Sequence, residues 1–357
     1  MILVDKIAQS FIVDSCGYLL FLGIAILLLF QKDKRAHYFF LIVLILFAGL
    51  RGGLGPDFIN YSKWYSTTIN DNNLEIGYVV LMNFFKFLNL SIFHLQFFFS
   101  ITLVLLVNLV LKKYTNNYKY AWLLFLIFPC FYLYSFILMR QYFAIGIIFF
   151  GFQFLLNKKY SYYIIAVLIG SLIHYSSLVA GFLILILFFL SQKITLRYLI
   201  LMLVISIPFA FINWFYIFKD FFLGTKYQGY FLEKNIESVN YLRFLVLNIE
   251  VIFLLFYYKE LINYNQKNKY FIVLVLFAFV LENFFTKIPL LNRFSFYFKF
   301  FELILFADLI SIKKYRIYLP IILIYGLRLF LYVLWYDYNT PGIYNKLVPY
   351  KNILFNN

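Results

Sequence analysis

Charged residues are scarce in this sequence. Of its 357 residues only 13% are Asp, Glu, Lys or Arg, whereas 64% are hydrophobic, and the mean hydropathy is +0.86. A soluble domain of ordinary composition carries about 25% charged residues. Apolar runs of roughly 15–20 residues recur from end to end, about the length needed to cross the hydrocarbon core of a bilayer. The shortage of charge therefore excludes an ordinary soluble protein and predicts an all-α, polytopic integral membrane protein.

Several chemical signatures are missing as well. The two cysteines, Cys16 and Cys130, lie in apolar runs without a pairing pattern, so no disulfide framework is expected. The sequence lacks HExxH, CxxC, Walker A and Asp-x-Asp motifs, and it therefore gives no reason to expect a metal or a cofactor. It has no Gly/Ser-rich linker and no internal repeat, so we treat residues 1–357 as a single transmembrane domain. The net charge is +16, but no contiguous basic surface for nucleic acid is evident.

The basic residues concentrate in six short connections, which hold 16 of the 31 Lys and Arg residues. Basic loops between spans belong on the cytoplasmic side of a membrane. An even number of crossings must separate successive cytoplasmic loops, which predicts about 12 transmembrane helices with both termini outside. The six connections contain Lys32, Lys34 and Arg35; Lys112, Lys113 and Lys119; Lys158 and Lys159; Lys193 and Arg197; Lys259, Lys267 and Lys269; and Lys313, Lys314 and Arg316.

The same parity rule locates the outer segments. A span over 11–30 enters and one over 38–50 leaves, so residues 51–73 lie outside, and the chain returns over 92–111. Residues near 75–90 are then predicted to form an interfacial or re-entrant helix that does not cross. A hairpin with its tip near residue 174, an outer loop over 219–243 and an outer turn over 287–293 complete this face.

The predicted outer face includes Arg140, an arginine with no other charged residue in its span. Arg140 is the sole charged residue between Lys119 and Lys158. An arginine placed away from the interface is costly, so it requires an anionic partner. A substrate phosphate is the favoured partner, and the carboxylates of Glu75 and Asp57 are the alternatives.

Two further polar residues fall at outer turns. His174 sits among Ser and Tyr residues, and it is either a general base or a hydrogen-bonded structural histidine. Arg293 precedes the aromatic run 294–298 and is interpreted as a second phosphate-binding residue, with a helix-end charge as the alternative. The remaining ionisable groups within spans are expected to form internal ion pairs: Glu250, Glu282, Lys299, Glu302, Asp308 and Arg328.

The segment from Arg51 to Tyr61 begins where a span ends. Its three glycines and Pro56 stop the helix and permit close approach of the backbone to a ligand. Amide groups exposed in such a turn can hold an anion, and an arginine can bind phosphate through two hydrogen bonds. The alternative is an ordinary helix-ending turn in which Arg51 reaches toward the interface.

Six short motifs follow one another along the chain: Leu50-Arg51-Gly52 with Gly55-x-Asp57 and Tyr61; Glu75-x-Gly77-Tyr78; Arg140-Gln141-x-x-Ala144; Ile173-His174-Tyr175-Ser176; Asn292-Arg293-x-x-x-Tyr297-Phe298; and Val348-Pro349-Tyr350-Lys351. Their order resembles the EpsG family, which belongs with the Wzy-type polymerases of bacterial surface polysaccharides. The resemblance spans nearly the whole chain, and Pro56 departs from the small polar residue expected before the aspartate.

This resemblance implies a metal-independent glycosyltransferase of the bacterial cytoplasmic membrane. It would join undecaprenyl-diphosphate-linked oligosaccharide repeat units at the outer face. The implied partners are the undecaprenyl-diphosphate-linked glycan, membrane lipid and a chain-length regulator protein. A transporter or flippase of lipid-linked sugars and a membrane acyltransferase are the alternatives. Polar groups gathered at one face without a repeat disfavour a transporter, and several arginines disfavour acyl transfer.

Charge development in the reaction suggests a role for each residue. Negative charge grows on the diphosphate leaving group, where fixed arginines stabilise the transition state, with Arg140 the first choice. The attacking hydroxyl requires a base, for which His174 is the first choice and Asp57 or Glu75 the second. The catalytic residues are therefore predicted to be Arg140, His174, Asp57 and Glu75, and the substrate-binding residues Arg51, Tyr61, Tyr78, Gln141 and Arg293.

Overall fold

The computed structural model describes residues 2–67, 74–218, 220, 238–340 and 345–354. It is 78% helical, and the described residues contain no strand beyond an isolated bridge between Arg51 and Asn352. Short 3-10 helices cover Arg293–Ser295 and Lys313–Tyr318. The α-helices are α1 Ile2–Phe30, α2 Lys34–Gly49, α3 Phe58–Ser66, α4 Ile76–Phe87, α5 Ile92–Tyr114, α6 Tyr118–Ile127, α7 Tyr134–Ile137, α8 Met139–Leu156, α9 Tyr160–Ile173, α10 Ser176–Ser191, α11 Leu196–Phe209, α12 Trp214–Phe218, α13 Tyr241–Phe256, α14 Tyr258–Tyr264, α15 Asn268–Phe284, α16 Pro289–Asn292, α17 Phe296–Lys299, α18 Glu302–Ser311 and α19 Leu319–Asn339.

Four of the described helical stretches are long and apolar enough to cross a membrane: Gln9–Phe30, Ile92–Tyr114, Met139–Leu156 and Lys314–Asn339. Other apolar helices have 10–17 residues. Several predicted spans are divided, as where Pro129, which has no amide hydrogen to donate, lies between α6 and α7. The all-α membrane protein is confirmed, whereas the figure of about 12 spans stays a prediction.

Large apolar side chains cover the outside of the helical bundle. Leu20, Leu27, Val80 and Ile165 are all more than half exposed. An exposed apolar surface of this extent is unfavourable in water and stable against lipid tails. The outward-facing residues of these helices are therefore the lipid-facing surface.

The interior of the bundle is built around α18 and its neighbours. Phe300, Phe301 and Leu303 are completely buried. The rings of Phe149 and Phe152 contact Phe301 at centroid distances of 5.2 and 4.7 Å, edge to face. Such aromatic pairs add to the packing that holds helices together where lipid is as apolar as the side chains.

Helix α4 is the predicted helix near residues 75–90. Its 12 residues measure about 18 Å along the axis, too short for a hydrocarbon core of about 30 Å. One face, with Tyr78, Met82 and Phe85, is buried, whereas Val80 and Phe87 are exposed. Its length and two-sided surface agree with a helix that does not cross.

A glycine sets the distance between α4 and α9. A Cβ atom at Gly77 would lie 2.6 Å from Leu172 Cβ and 2.7 Å from the Leu172 carbonyl oxygen. Only a residue without a side chain permits this approach. Since α9 ends at Ile173, the contact brings the N-terminus of α4 next to His174.

The C-terminal segment 345–354 closes the turn that follows α2. The amide of Gly52 donates to the Lys351 carbonyl over 2.8 Å, and the amide of Gly55 donates to that of Asn345 over 2.6 Å. Tyr350 stacks on Phe47 with a centroid distance of 4.1 Å. The amides expected to hold an anion are therefore bonded to the tail of the protein, because that segment supplies carbonyl acceptors at the same place. The predicted outer loop 219–243 lies largely outside the described residues.

We expect Gly77→Ala to destabilise the protein and to loosen the junction of α4 with α9. Overpacking of this kind costs about 1–3 kcal/mol. Gly23→Ala is the matched control, because a Cβ atom there meets no atom within 4 Å. Thermal unfolding in detergent measures both, and equal melting temperatures of the two variants would contradict the close contact.

Candidate functional site

Polar side chains converge at one end of the helical bundle. Arg140 lies in the first turn of α8, Glu75 immediately precedes α4, and His174 follows α9. The other end of α8 and the start of α9 carry the basic connection at Lys158 and Lys159. The polar cluster and this basic connection therefore lie at opposite ends of the same helices, as the charge pattern predicts.

Glu75 is the centre of the cluster. Its Oε2 atom accepts a short hydrogen bond from Arg140 Nη1, and its Oε1 atom lies 3.3 Å from His174 Nδ1. The amide of Tyr175 donates to the same Oε1 atom over 3.3 Å. The side chain of Glu75 is only 7% exposed. Arg140 thus has a carboxylate of the protein as its partner, whereas the sequence favoured a substrate phosphate.

Aromatic rings surround the guanidinium of Arg140. The centroids of Tyr78, Trp64 and Tyr61 lie 4.9, 5.0 and 5.6 Å from its Cζ atom. Cation–π contacts of this kind stabilise a partly desolvated cation. Tyr61 and Trp64 are three residues apart on α3, so they occupy one face of that helix. The predicted Tyr61 and Tyr78 are therefore beside Arg140, and Trp64 joins them.

Asp57 and Arg293 form a second, looser pair at the same end. Arg293 Nη1 lies 3.7 Å from Asp57 Oδ2, and the two side chains are 34% and 30% exposed. Gln141 Nε2 donates to the Arg293 carbonyl oxygen over 2.7 Å. This bond ties the turn that carries Arg293 to the start of α8. Of the cations placed at the site, Arg293 is the more exposed, since the side chain of Arg140 is 14% exposed.

Arg51 occupies a separate, buried position. Its residue is 2% exposed, and its guanidinium donates to the carbonyl oxygens of Ala48 and Phe136. The Phe136 ring lies 4.9 Å from Cζ, and Ser100 Oγ lies 3.4 Å from Nη1. Burial lowers the pKa of Arg51 to about 10, so the side chain remains cationic at neutral pH. These contacts describe an arginine that holds the turn; substrate binding by Arg51 stays a prediction.

The two carboxyl groups of the site differ in their electrostatic surroundings. Burial alone would raise the pKa of Glu75, but the hydrogen bond to His174 and the charge of Arg140 lower it to about 2. Burial raises the pKa of Asp57 above its ordinary value despite the nearby Arg293 and Arg140. Glu75 is therefore a fixed anion, whereas Asp57 is the carboxyl that gains a proton more readily.

The structure also brings in residues that the sequence did not single out for the site. Tyr297 Oη lies 3.0 Å from Ser176 Oγ, which joins the start of α10 to α17. Trp64 could have been predicted from the sequence, because its i+3 spacing from Tyr61 places both rings on one helical face. The contact of the Tyr175 amide with Glu75 could not have been predicted in this way, since nearly every residue type supplies a backbone amide.

The described residues contain no group of three or more His, Cys, Asp or Glu that could hold a metal ion. What the fold defines is a helical membrane protein with an Arg–Glu–His cluster at the ends of α4, α8 and α9. The model of the EpsG family matches residues 34–352, so the chain belongs to the EpsG family. Comparison with curated proteins and with solved structures gives no match.

The Glu75–Arg140 pair predicts a particular pH dependence of stability. A carboxyl whose pKa is about 2 when folded and 4.5 ordinarily stabilises the fold above pH 4.5, and loses that effect as the pH falls toward 2. Glu75→Gln is therefore expected to cost about 3 kcal/mol at neutral pH, since it leaves a largely buried cation unpaired, and less in acid. Thermal melts of Glu75→Gln, Arg140→Ala and the double variant are measured at neutral pH and in acid. They give the coupling free energy between Glu75 and Arg140. Purely additive losses would refute the pairing.

Arg51→Ala separates a structural role from substrate binding. Its removal leaves backbone carbonyl groups without donors, so we expect a loss of stability of about 1–3 kcal/mol. Arg197, an exposed residue of the basic connection that also contains Lys193, supplies the control variant Arg197→Ala, for which we expect an unchanged melting temperature. An Arg51→Ala protein with normal stability and impaired substrate affinity would instead favour the sequence prediction.

Proposed function

We propose that this protein is a polysaccharide polymerase that joins undecaprenyl-diphosphate-linked repeat units at the outer face of the bacterial cytoplasmic membrane. Membership of the EpsG family supports a role of this kind. The observation that carries the chemistry is the contact of Glu75 Oε1 with His174 Nδ1 at 3.3 Å. A carboxylate at one imidazole nitrogen leaves the other nitrogen available for proton transfer.

His174 is the base in this proposal. With Nδ1 directed at Glu75, Nε2 is the nitrogen that accepts the proton of the attacking sugar hydroxyl. The imidazolium formed in this step is stabilised by the fixed negative charge of Glu75. Arg140 holds Glu75 in position through its hydrogen bond, and the aromatic rings around Arg140 restrict its movement. Glu75 and Arg140 are therefore positioning residues for His174.

Arg293 is the proposed partner of the diphosphate. Its side chain is one-third exposed, and its contact with Asp57 is long at 3.7 Å, so an anionic ligand can compete for it. In the reaction the hydroxyl oxygen bonds to the anomeric carbon while the bond from that carbon to the diphosphate oxygen breaks. The leaving diphosphate keeps the bonding electrons, and a guanidinium at this place stabilises its growing charge. Arg140, the first choice from sequence, is already paired with Glu75.

Membrane lipid and the polyprenyl carrier suit the surroundings of this site. Helix α4 begins directly after Glu75 and exposes Ile76, Val80 and Phe84 on its outer face. A carrier tail held along such apolar side chains would bring its diphosphate to the level of the helix ends. The same proposal places the basic loops on the cytoplasmic side of a multi-pass protein. It also includes a chain-length regulator as partner.

The decisive experiment follows carrier-linked glycans in a strain that lacks this gene. We expect single repeat units to accumulate and the wild-type gene to restore longer chains. His174→Ala should lower the polymerisation rate about 10²–10⁴-fold as expected for a missing base, and Arg293→Ala about 10²–10³-fold for a missing stabiliser of charge. Assays with the native lipid-linked unit and purified protein give these rates.

Arg197→Ala and Arg316→Ala are the matched controls, since both side chains are exposed and belong to the basic connections, not to the polar cluster. They are expected to polymerise at the wild-type rate. Chains of normal length that lack only a substituent would reject polymerisation in favour of acyl transfer. Repeat units retained at the inner face would reject it in favour of a flippase.

A further inference from the structure

A second set of ionisable side chains lies within the bundle, apart from Glu75 and Arg140. It contains Lys299 and three acids, Glu250, Glu282 and Glu302. Lys299, Glu282 and Glu302 are 7%, 4% and 3% exposed. Lys299 Nζ lies 3.2 Å from Glu282 Oε1, and among the described residues this is the ion pair within the cluster. Three carboxyl groups thus share one ammonium group.

The two acids that do not pair with Lys299 face a common cavity. Glu250 of α13 and Glu302 of α18 line it, and its other walls are apolar, with Leu124, Phe128 and Phe306 among them. Glu302 Oε1 is buried and has no hydrogen-bond partner among the described residues. An ionised carboxylate in such surroundings is strongly unfavourable, whereas the neutral acid is tolerated.

The neighbouring groups whose side chains the structure describes do not supply a second positive charge. The acids interact electrostatically with one another and with Lys299, and Cys130 and Tyr325 are the other titratable groups in range. Neither a thiol nor a phenol becomes cationic. Among the described groups, protons on the two carboxyl groups are therefore the available means of balancing the charge of this cavity.

The cluster is connected to the turn that carries Arg293. The Ser295 hydroxyl lies 3.1 Å from Glu282 Oε1 and 2.8 Å from the Asn292 carbonyl oxygen. Between Phe284 and Glu302 the chain is divided into short helical pieces, α16, the 3-10 turn and α17. The Lys299–Glu282 pair thus fixes the base of a broken helix whose outer part holds Arg293.

We propose that Glu250 and Glu302 are both protonated at neutral pH and that loss of one of these protons loosens the turn 285–301. Deprotonation places a second anion beside Lys299, which competes with Glu282 for the ammonium group. Weakening of the Lys299–Glu282 pair frees the Ser295 contact and, with it, the turn. The proton passes to the solvent on release and returns as the pH falls. This device concerns the fold and is independent of the reaction at His174.

Infrared spectroscopy of the protein in lipid vesicles tests the bound proton. A protonated carboxyl group has a C=O band distinct from that of a carboxylate. We expect the wild-type protein to show this band at neutral pH and Glu302→Gln, Glu250→Gln or both to reduce it. Glu260→Gln is the matched control, because Glu260 is exposed on α14. A wild-type spectrum without the band, or a band unchanged in both variants, would overturn the proposal.

Hydrogen exchange tests the connection to the outer turn. After correction for intrinsic rates, residues 285–301 of the wild-type protein are expected to exchange roughly tenfold faster once the site is deprotonated in alkaline buffer. The double variant Glu250→Gln with Glu302→Gln mimics both protonated acids and should keep this segment protected at both pH values. Identical pH dependence in wild type and the double variant would contradict the coupling, whether or not the protein polymerises glycans.

Discussion

The carboxylate of Glu75 is the point on which the rest of the site depends. It contacts two other chain segments: Arg140 at the start of α8, and the turn after α9, which supplies His174 and the amide of Tyr175. A charge held at 7% exposure is stable only while these partners remain in place. Because the partners come from the start of α8 and from the turn after α9, the carboxylate of Glu75 fixes the relative positions of α4, α8 and α9 as well as the imidazole.

Apolar packing makes this convergence of charge stable. The contact of Gly77 with Leu172 brings α4 against α9, and the aromatic face of α3 covers Arg140. Across the cluster, Gln141 ties α8 to the turn that holds Arg293. Helix packing in lipid gains little from the hydrophobic effect, so close contacts at small residues and interhelical hydrogen bonds carry a larger share. The site is thus rigid around His174 and looser at Arg293, which suits a fixed base and a ligand-binding cation.

The buried charges of this protein serve different purposes. Arg51 holds the turn after α2 against α7 through the backbone carbonyl groups of Ala48 and Phe136, and it is buried. Lys299 lies among acids inside the bundle, and the pair that it forms with Glu282 leads to the turn of Arg293. Burial raises the cost of every unpaired charge, so each of these groups constrains its own surroundings. Family membership and the Glu75–His174 contact together connect the fold to glycan polymerisation as proposed.

The sequence alone determined the class of the protein, the segment near residues 75–90 as a short helix, and the set of polar residues at one end of the bundle. Those conclusions rest on composition and on spacing along the chain, which local physical chemistry governs. The tertiary structure decided the pairing: Arg140 with Glu75, 65 residues apart, and the amides of Gly52 and Gly55 with the C-terminal tail. Pairing depends on which helix ends pack together, and no local pattern encodes that contact.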